Sequence, residues 1–376
     1  MSFKAEIIVK SPGRINLIGG HTDYNGGFVL PTAIEKTIEL SLSKNGTRTC
    51  TIKSGDYKSG FSVDLDSIEK SNFHWHNYIL GVIAEIQKIK GEQLGGFDCV
   101  ISSSLPMGSG ISSSAALECG LAKGLNELFG LELSEMQLIE LSRDAEHNFV
   151  GTKCGIMDQF AVVMGKKNQL IKLNCKTLEY EYVEADFNPY KIVLLNTNVS
   201  HNLSTSEYNT RREECQAALD MINQKSKTSY KYLCDVTSES VKKMEGFMPA
   251  KLYNRALYVT QENERVVKGV KELAKGDLSF LGKCLYESHH GLQHLYEVSC
   301  PELDFLVEFS KEYTDVIGSR MMGGGFGGCT INLVHKSGLK AYIEKVAKAY
   351  YKKFNIELTP IMVSTGDGVT ITRQTN

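Results

Sequence analysis

The sequence predicts a mixed α+β protein, rich in strands in its first half and in helices in its second. Three observations carry that expectation. Short alternating apolar runs dominate up to about residue 185, long amphipathic periods follow, and glycines gather into clusters where the pattern changes. At 376 residues the chain has material for two or three domains and a large core, and the expected division is 1–185 and 186–376.

Taken in order, residues 5–9 alternate into a short strand that runs into a turn at Arg14. Residues 37–43, 48–53 and 95–102 have strand character, the last with a glycine lead-in. From Ser112 the period changes: Ala115, Ala116, Cys119, Leu125 and Leu128 recur at helical spacing and stop near Gly130. A second helix is predicted over 134–149, with Ser134 as N-cap and Leu138, Leu141 and Ala145 on its buried face. Strands at 169–173 and 191–196 flank the change of character. Helices are then expected near 206–223, 254–274, 278–296 and 301–312, and strands again at 329–334 and 366–373.

Composition narrows the function. Hydrophobic content of 42%, charged content of 23% and a formal net charge of -2 give no global attraction to nucleic acid or to an anionic membrane. Ten scattered cysteines without a C-x-x-C pair fit neither a disulfide frame nor a zinc site. The first residues lack an apolar leader core, and no apolar run approaches the length of a membrane span. These features predict a reduced, cytoplasmic, enzyme-sized protein; a small-molecule partner and a monomer or weak homodimer are expected, although composition itself carries no signal of oligomeric state.

Local segments carry the chemistry. Residues 11–27, SPGRINLIGGHTDYNGG, place Arg14, Asn16, His21 and Asp23 among five glycines, the composition of a ligand-lined turn. A polar surface loop fits the same letters, but Ile15, Leu17 and Ile18 argue against full exposure. Residues 105–118, LPMGSGISSSAALE, combine Gly108 and Gly110 with serines 112–114 and an immediate helix. Backbone N–H groups there, with the positive end of a helix dipole, suit a polyphosphate. The G-K-[ST] ending of a Walker loop is missing. The glycines also do not follow the first strand with an acidic residue about 20 positions on, which disfavours a dinucleotide oxidoreductase. A third cluster, five glycines within residues 323–328, follows Arg320 and suits close backbone approach to a ligand or tight packing between elements. Asp158 stands among Ile156, Met157 and Phe160, where a carboxylate is costly unless paired or working. Glu146 offers an oxygen to a hard cation. His290 and His294 lie four apart but no third ligand follows, so they read as solvated or structural.

The segments GRINLIGGHTDYNGG, LPMGSGISSSAALE and SRMMGGGFGGC together resemble the three motifs of the GHMP small-molecule kinases. HTDYNGGFVLP, WHNY at 75–78, AEHNFVGTKCGIMDQF and LYEVSCPELD at 295–304 are similar to the galactokinase branch of that family. The resemblance spans essentially the whole chain. It implies a two-lobed fold, an N-terminal mixed-sheet domain and a C-terminal α/β domain with the active site in the cleft between them. It further implies transfer of phosphate from ATP, with Mg²⁺, to the anomeric hydroxyl of galactose. Carried over by position, Asp158 is the implied general base and Arg14 its cationic partner. His21, Asp23, Gly155 and Tyr208 are the implied sugar contacts. Gly108, Ser109, Gly110, Ser112, Ser113 and Ser114 form the implied phosphate loop, Ser114 and Glu146 the Mg²⁺ ligands, and Trp75 stands near the adenine.

Two departures bear on the sugar. The family pattern G-E-H-T-D here reads G-G-H-T-D, so Gly20 replaces a glutamate that in the family reaches the sugar's 6-hydroxyl. Its loss costs roughly 1–3 kcal/mol of sugar binding, and it removes a negative charge that would repel a C6 carboxylate. Residues 290–295, HGLQHL, also depart from the family pattern. A kinase of a C6-modified hexose such as galacturonate is therefore the alternative, and an inactive sugar sensor a third reading.

Overall fold

The computed structural model describes residues 3–55, 59–106, 108–184, 186–200 and 204–374. The chain opens with β1 (Ile7–Asn16), β2 (Phe28–Val29), β3 (Pro31–Lys44), β4 (Thr49–Ser54) and β5 (Ser59–Asp64). Helix α1 (His74–Lys90) leads to β6 (Phe97–Ser103), then α2 (Ser113–Phe129), α3 (Glu135–Ala145) and α4 (Met157–Met164). Strands β7 (Gln169–Asn174), β8 (Tyr180–Glu184) and β9 (Tyr190–Ser200) precede a helical run. That run comprises α5 (Ser204–Ser226), α6 (Ser238–Lys242), α7 (Ala250–Leu273), α8 (Leu278–His294) and α9 (Pro301–Lys311). The chain closes with β10 (Val316–Met321), β11 (Gly327–His335), α10 (Leu339–Phe354), β12 (Thr359–Val363) and β13 (Thr370–Arg373).

Three sheets result. The largest has the order β13-β1-β3-β6-β4-β5, antiparallel except where β4 runs parallel to β6. A four-stranded antiparallel sheet, β10-β11-β9-β12, organises the second half, and β2-β7-β8 forms a small third sheet. Helix α2 lies across β1 and β3, and small residues let it approach. A Cβ on Gly120 would stand 2.7 Å from Ser11 Cβ and 2.8 Å from Leu40 Cδ1. Helices α1 to α4 close the same core through Ile83, Cys119, Leu125, Leu138 and Phe160. Separate apolar clusters join α5, α7 and α8, and join α9 and α10 to the second sheet. All ten cysteines are free thiols, and no helix among the described residues is long and apolar enough to cross a membrane.

The predicted elements reappear with four corrections. The turn expected at Arg14 is strand: β1 continues to Asn16, and only a bulge between Pro12 and Arg14 interrupts its pairing with β3. Every residue from 11 to 16 is buried, so the core holds this stretch extended, and the glycine-rich turn begins only beyond Asn16. The helix predicted to Phe149 ends as α-helix at Ala145 and widens into one π turn, Glu146–Val150, closed by Gly151 at φ +94°. The strand predicted from 366 begins only at Thr370, because Gly366 and Gly368 lie against the backbone of Ile34 and Val163. Finally β2, β5, α1, α4, β8, α6, β10, α10 and β12 were not foreseen. Helix α10 buries Tyr342, Val346 and Tyr350, four residues apart on a lysine-rich helix, a helical stripe written in aromatics.

The α2–sheet contact makes a specific prediction. Replacing Gly120 with Val should destabilise the fold by roughly 1–3 kcal/mol through overpacking, seen as a lower urea midpoint. An unchanged midpoint would mean the helix has room to move away from β1.

Candidate active site

The bulge in β1 turns Arg14 toward two other segments. Its backbone N–H donates to Ile111 O at 3.0 Å, fastening the strand to the loop before α2. Its buried side chain donates from Nε to Asp158 Oδ1 at 2.7 Å and from Nη2 to Asp158 Oδ2 at 2.8 Å. The remaining Nη1 donates to Gly110 O at 2.7 Å. Asp158 lies in the first turn of α4, where the helix dipole favours a carboxylate. Ser112 Oγ donates to the same carboxylate. One guanidinium and one serine thus hold the acid, the strand and the glycine-rich loop together.

That loop has the backbone its composition requires. Gly108 and Gly110 sit at φ +68° and +71°, and Ser112, which caps α2, at φ +56°. Gly108, Gly110 and Ser113 are exposed at the head of a 17-residue helix, so the loop presents its backbone to solvent at a dipole's positive end. Ser109 differs from expectation: its hydroxyl is buried and donates to Pro106 O at 2.7 Å, bracing the turn from inside. Beside the loop, Ser113 and Ser114 share a cavity of about 240 Å³ with Trp75, Tyr78 and Leu117. Trp75 is half-buried, packed edge-on against Phe61 with ring centroids 5.4 Å apart. The third glycine cluster supports the loop from the other side. A Cβ on Gly323 would stand 3.3 Å from Gly110 O, and one on Gly328 3.8 Å from Gly108 O.

A narrow cavity of about 50 Å³ opens between these parts, lined by Arg14, His21, Asp23, Asp158, Tyr208 and Arg320 among others. Three larger grooves lie elsewhere on the surface, and none of them is lined by Asp158. The Gly19–Gly27 turn builds one wall. Thr22 Oγ1 bridges Gly19 O and Phe28 O, and Asn25 Nδ2 donates to His21 O at 2.8 Å. His21 takes φ +64° and packs between Tyr208 and Tyr296, its Nδ1 2.8 Å from Tyr24 Oη. Its Nε2 is buried without a hydrogen-bond partner among the described residues. Burial, with Arg320 and Arg211 nearby, pushes its pKa down to about 3, so the ring is neutral. Asp23 is pushed the other way, to about 6, by burial and by the charge of Asp158. Gly155 is required here, since a Cβ would collide with the Asp23 carboxylate. The loop carrying Gly155 is held by α5: Asn209 accepts from Lys153 N–H at 3.1 Å and donates to Gly151 O at 3.2 Å, while Arg212 Nη1 donates to Lys153 O. This fixes Tyr208 above the cavity, with Gly324 packed against its ring.

Comparison with known proteins agrees with this geometry. Residues 77–166 match the GHMP kinases N terminal domain, residues 270–352 the GHMP kinases C terminal domain, and residues 2–44 the galactokinase galactose-binding signature. A galactokinase of Thermosipho africanus is 44% identical over 363 residues, 96% of this chain and 99% of that protein. The chain belongs to the GHMP kinases, in their galactokinase branch. A galactokinase of Clostridium tetani is 44% identical over 91% of this chain and 87% of its own. The crystal structure of Lactococcus lactis galactokinase complexed with galactose superposes with a TM-score of 0.93 at 34% identity, covering 97% of this chain and 95% of that one. The Methanococcus jannaschii mevalonate kinase shares the fold at a TM-score of 0.68 and 18% identity, covering 98% of this chain and 100% of its own.

Within this GHMP fold the expected residues fall into two groups. Arg14, His21, Asp23, Asp158 and Tyr208 meet around the narrow cavity, with Gly20 at its edge and Gly155 behind Asp23. Ser113 and Ser114 face the second cavity with Trp75. Glu146 lies deeper, beside Glu118 and within reach of the Asp158 charge; burial and Asp158 push it up to about 7. Glu118 was missed. It is wholly buried on α2, both oxygens lack a hydrogen-bond partner among the described residues, and burial and Glu146 hold it well above the usual carboxylate range. A charged letter within the helix's apolar stripe was its signal. Arg320 was noted beside the third cluster but given no role. It is 1% exposed, donates from Nη2 to Asn16 O at 2.7 Å and reaches the narrow cavity. His290 and His294 lie exposed with rings 4.5 Å apart, and no group of three or more metal-binding side chains occurs among the described residues.

The raised Asp23 predicts a trade of stability for function. Because its folded pKa of about 6 exceeds the ordinary 3.8, ionising it costs the native state more than the unfolded one. That cost is absent below pH 4, grows between pH 4 and 6 and stays constant above. Asp23→Asn should therefore be more stable than the parent at pH 8, by up to about 3 kcal/mol, with the gain gone at pH 4. Equal unfolding free energies at pH 8 would show that Asp23 ionises without strain.

Proposed function

We propose that the chain transfers the γ-phosphoryl group of ATP to the C1 hydroxyl of galactose, giving galactose 1-phosphate and ADP. The observation that carries this reading is the junction of Arg14, Asp158 and Ser112. There the carboxylate that borders the sugar cavity is hydrogen-bonded by a serine of the phosphate loop. Phosphoryl transfer needs little beyond positioning, charge neutralisation and a group to receive the hydroxyl proton.

In this reading Asp158 accepts the proton of the C1 hydroxyl. Arg14 holds both carboxylate oxygens, which aims the base and steadies charge as the new bond forms. Asp23, His21 and Tyr208 orient the sugar, and the neutral His21 offers its unpartnered Nε2 to a hydroxyl. Gly108 to Ser114 receive the phosphates and Trp75 borders the adenine. Glu146 lies within reach of the Asp158 charge, and its oxygens, held up to about 7 by burial and by Asp158, are of the kind a hard divalent cation takes. Mg²⁺ would be held by Glu146 and Ser114 and supplies neutralisation of the transferring group. The cleft between a first lobe of 1–185 and a second of 186–376 supplies the two walls. The exposed, intact loop and the paired Arg14–Asp158 favour an enzyme over an inactive sensor.

Asp158→Asn should lower kcat by about 10³-fold or more in an ADP-release assay, while a fluorescent nucleotide still binds within about threefold of the parent. Near-normal turnover would remove Asp158 as the base.

A further inference from the structure

The wall of the sugar cavity away from Asp158 carries an uncompensated cation. Arg320 is 1% exposed, yet no carboxylate lies within ion-pair distance of it among the described residues. Its Nη2 is used by Asn16 O, its Nη1 has only a long 3.4 Å contact to Ser288 Oγ, and its Nε has no partner. The nearest buried acid, Glu262, is already engaged. It pairs with Arg265 and accepts from Ser288 Oγ at 2.8 Å and from Gly19 N–H at 2.7 Å. A buried arginine without a counter-ion is costly, so a ligand that supplies a negative charge is favoured there.

Gly20 faces this cation. An ideal Cβ on Gly20 would stand 3.0 Å from Arg320 Nη1, 3.5 Å from Tyr258 Oη and 3.9 Å from Leu292 Cδ2. A side chain at position 20 would press against Arg320 and stand between it and the cavity, which glycine and the guanidinium line together. No positive φ demands glycine at this position, unlike Gly19 beside it at φ +93°. The opening adjoins the cavity that Asp158 borders, and the reacting hydroxyl must lie at the Asp158 end. A group at the Gly20 end therefore belongs to a part of the sugar remote from that hydroxyl.

We propose that Gly20 and Arg320 form an anion-accepting subsite, and that the enzyme phosphorylates a hexose bearing a carboxylate at C6, a hexuronic acid, as well as galactose. The proposal rests on the sugar-kinase reading above. The C6 carboxylate enters the space beside Gly20 and pairs with the guanidinium. The transfer itself is unchanged. The C1 oxygen bonds to the γ-phosphorus, the bond from phosphorus to the bridging oxygen of ADP breaks, and the hydroxyl proton passes to Asp158.

The test measures ADP release with galactose and with galacturonate for the parent, Gly20→Glu and Gly20→Gln, each checked for folding by circular dichroism. Turnover of galacturonate by the parent is expected with kcat/KM within about tenfold of galactose. Gly20→Glu should lower the galacturonate-to-galactose ratio by 100-fold or more. Gly20→Gln, which fills the same space without charge, should lower it by less than a tenth of that factor. Turnover of galactose but not galacturonate by the parent, with no competitive inhibition by galacturonate, overturns the subsite and leaves the kinase intact. Equal falls for the two variants overturn the charge argument. Turnover of neither sugar overturns the kinase reading itself, and the subsite with it.

Discussion

Everything at the centre of this protein depends on one guanidinium. Arg14 ties a strand of the largest sheet, the glycine-rich loop and the first turn of α4 into one unit, using all three of its nitrogens. Such a buried ion pair is a weak source of net stability, because desolvation offsets much of the attraction. Its value here is positional. The carboxylate is held by both oxygens, and the loop carbonyl that accepts from Nη1 is that of Gly110, the middle one of three positive-φ residues with Gly108 and Ser112. The β1 bulge is the local device that makes this reach possible.

Charge is distributed unevenly around that unit. On one side Glu118, Glu146 and Asp158 crowd together, and burial and mutual repulsion raise the first two. On the other, Arg320 lies buried with an idle Nε. The folded chain alone satisfies neither side. On the reading proposed above, a cation beside Glu146 and an anion before Arg320 would each match its side in sign.

Much of this was legible in the letters. The Arg14, Gly108–Ser114 and Asp158 segments are short, and glycine, serine and charge in those patterns have few other uses. The core helices announced themselves through 3.6-residue spacing. What the letters withheld was adjacency. Arg14 meets Asp158 across 144 positions and Arg320 meets Asn16 across 304, and composition carries no signal for either. Backbone was misread where burial overrode local preference: residues 11–16 look like a turn and are strand, because the sheet and α2 enclose them. Helix α10 was overlooked because lysines and tyrosines masked its apolar stripe. The inward hydroxyl of Ser109 shows the same limit at the scale of a single side chain.

The pairing of β13 with β1 has a consequence for synthesis. Ile7 aligns with Arg373, so β1 receives its outer neighbour only after β2 to β12 have left the ribosome. Until then β1 presents an unpaired edge, and the largest sheet stays open on one side. A gene cut at the junction of the two halves would leave the first product without its closing strand. The two polypeptides would have to find each other to seal it, as subunits rather than as parts of one chain.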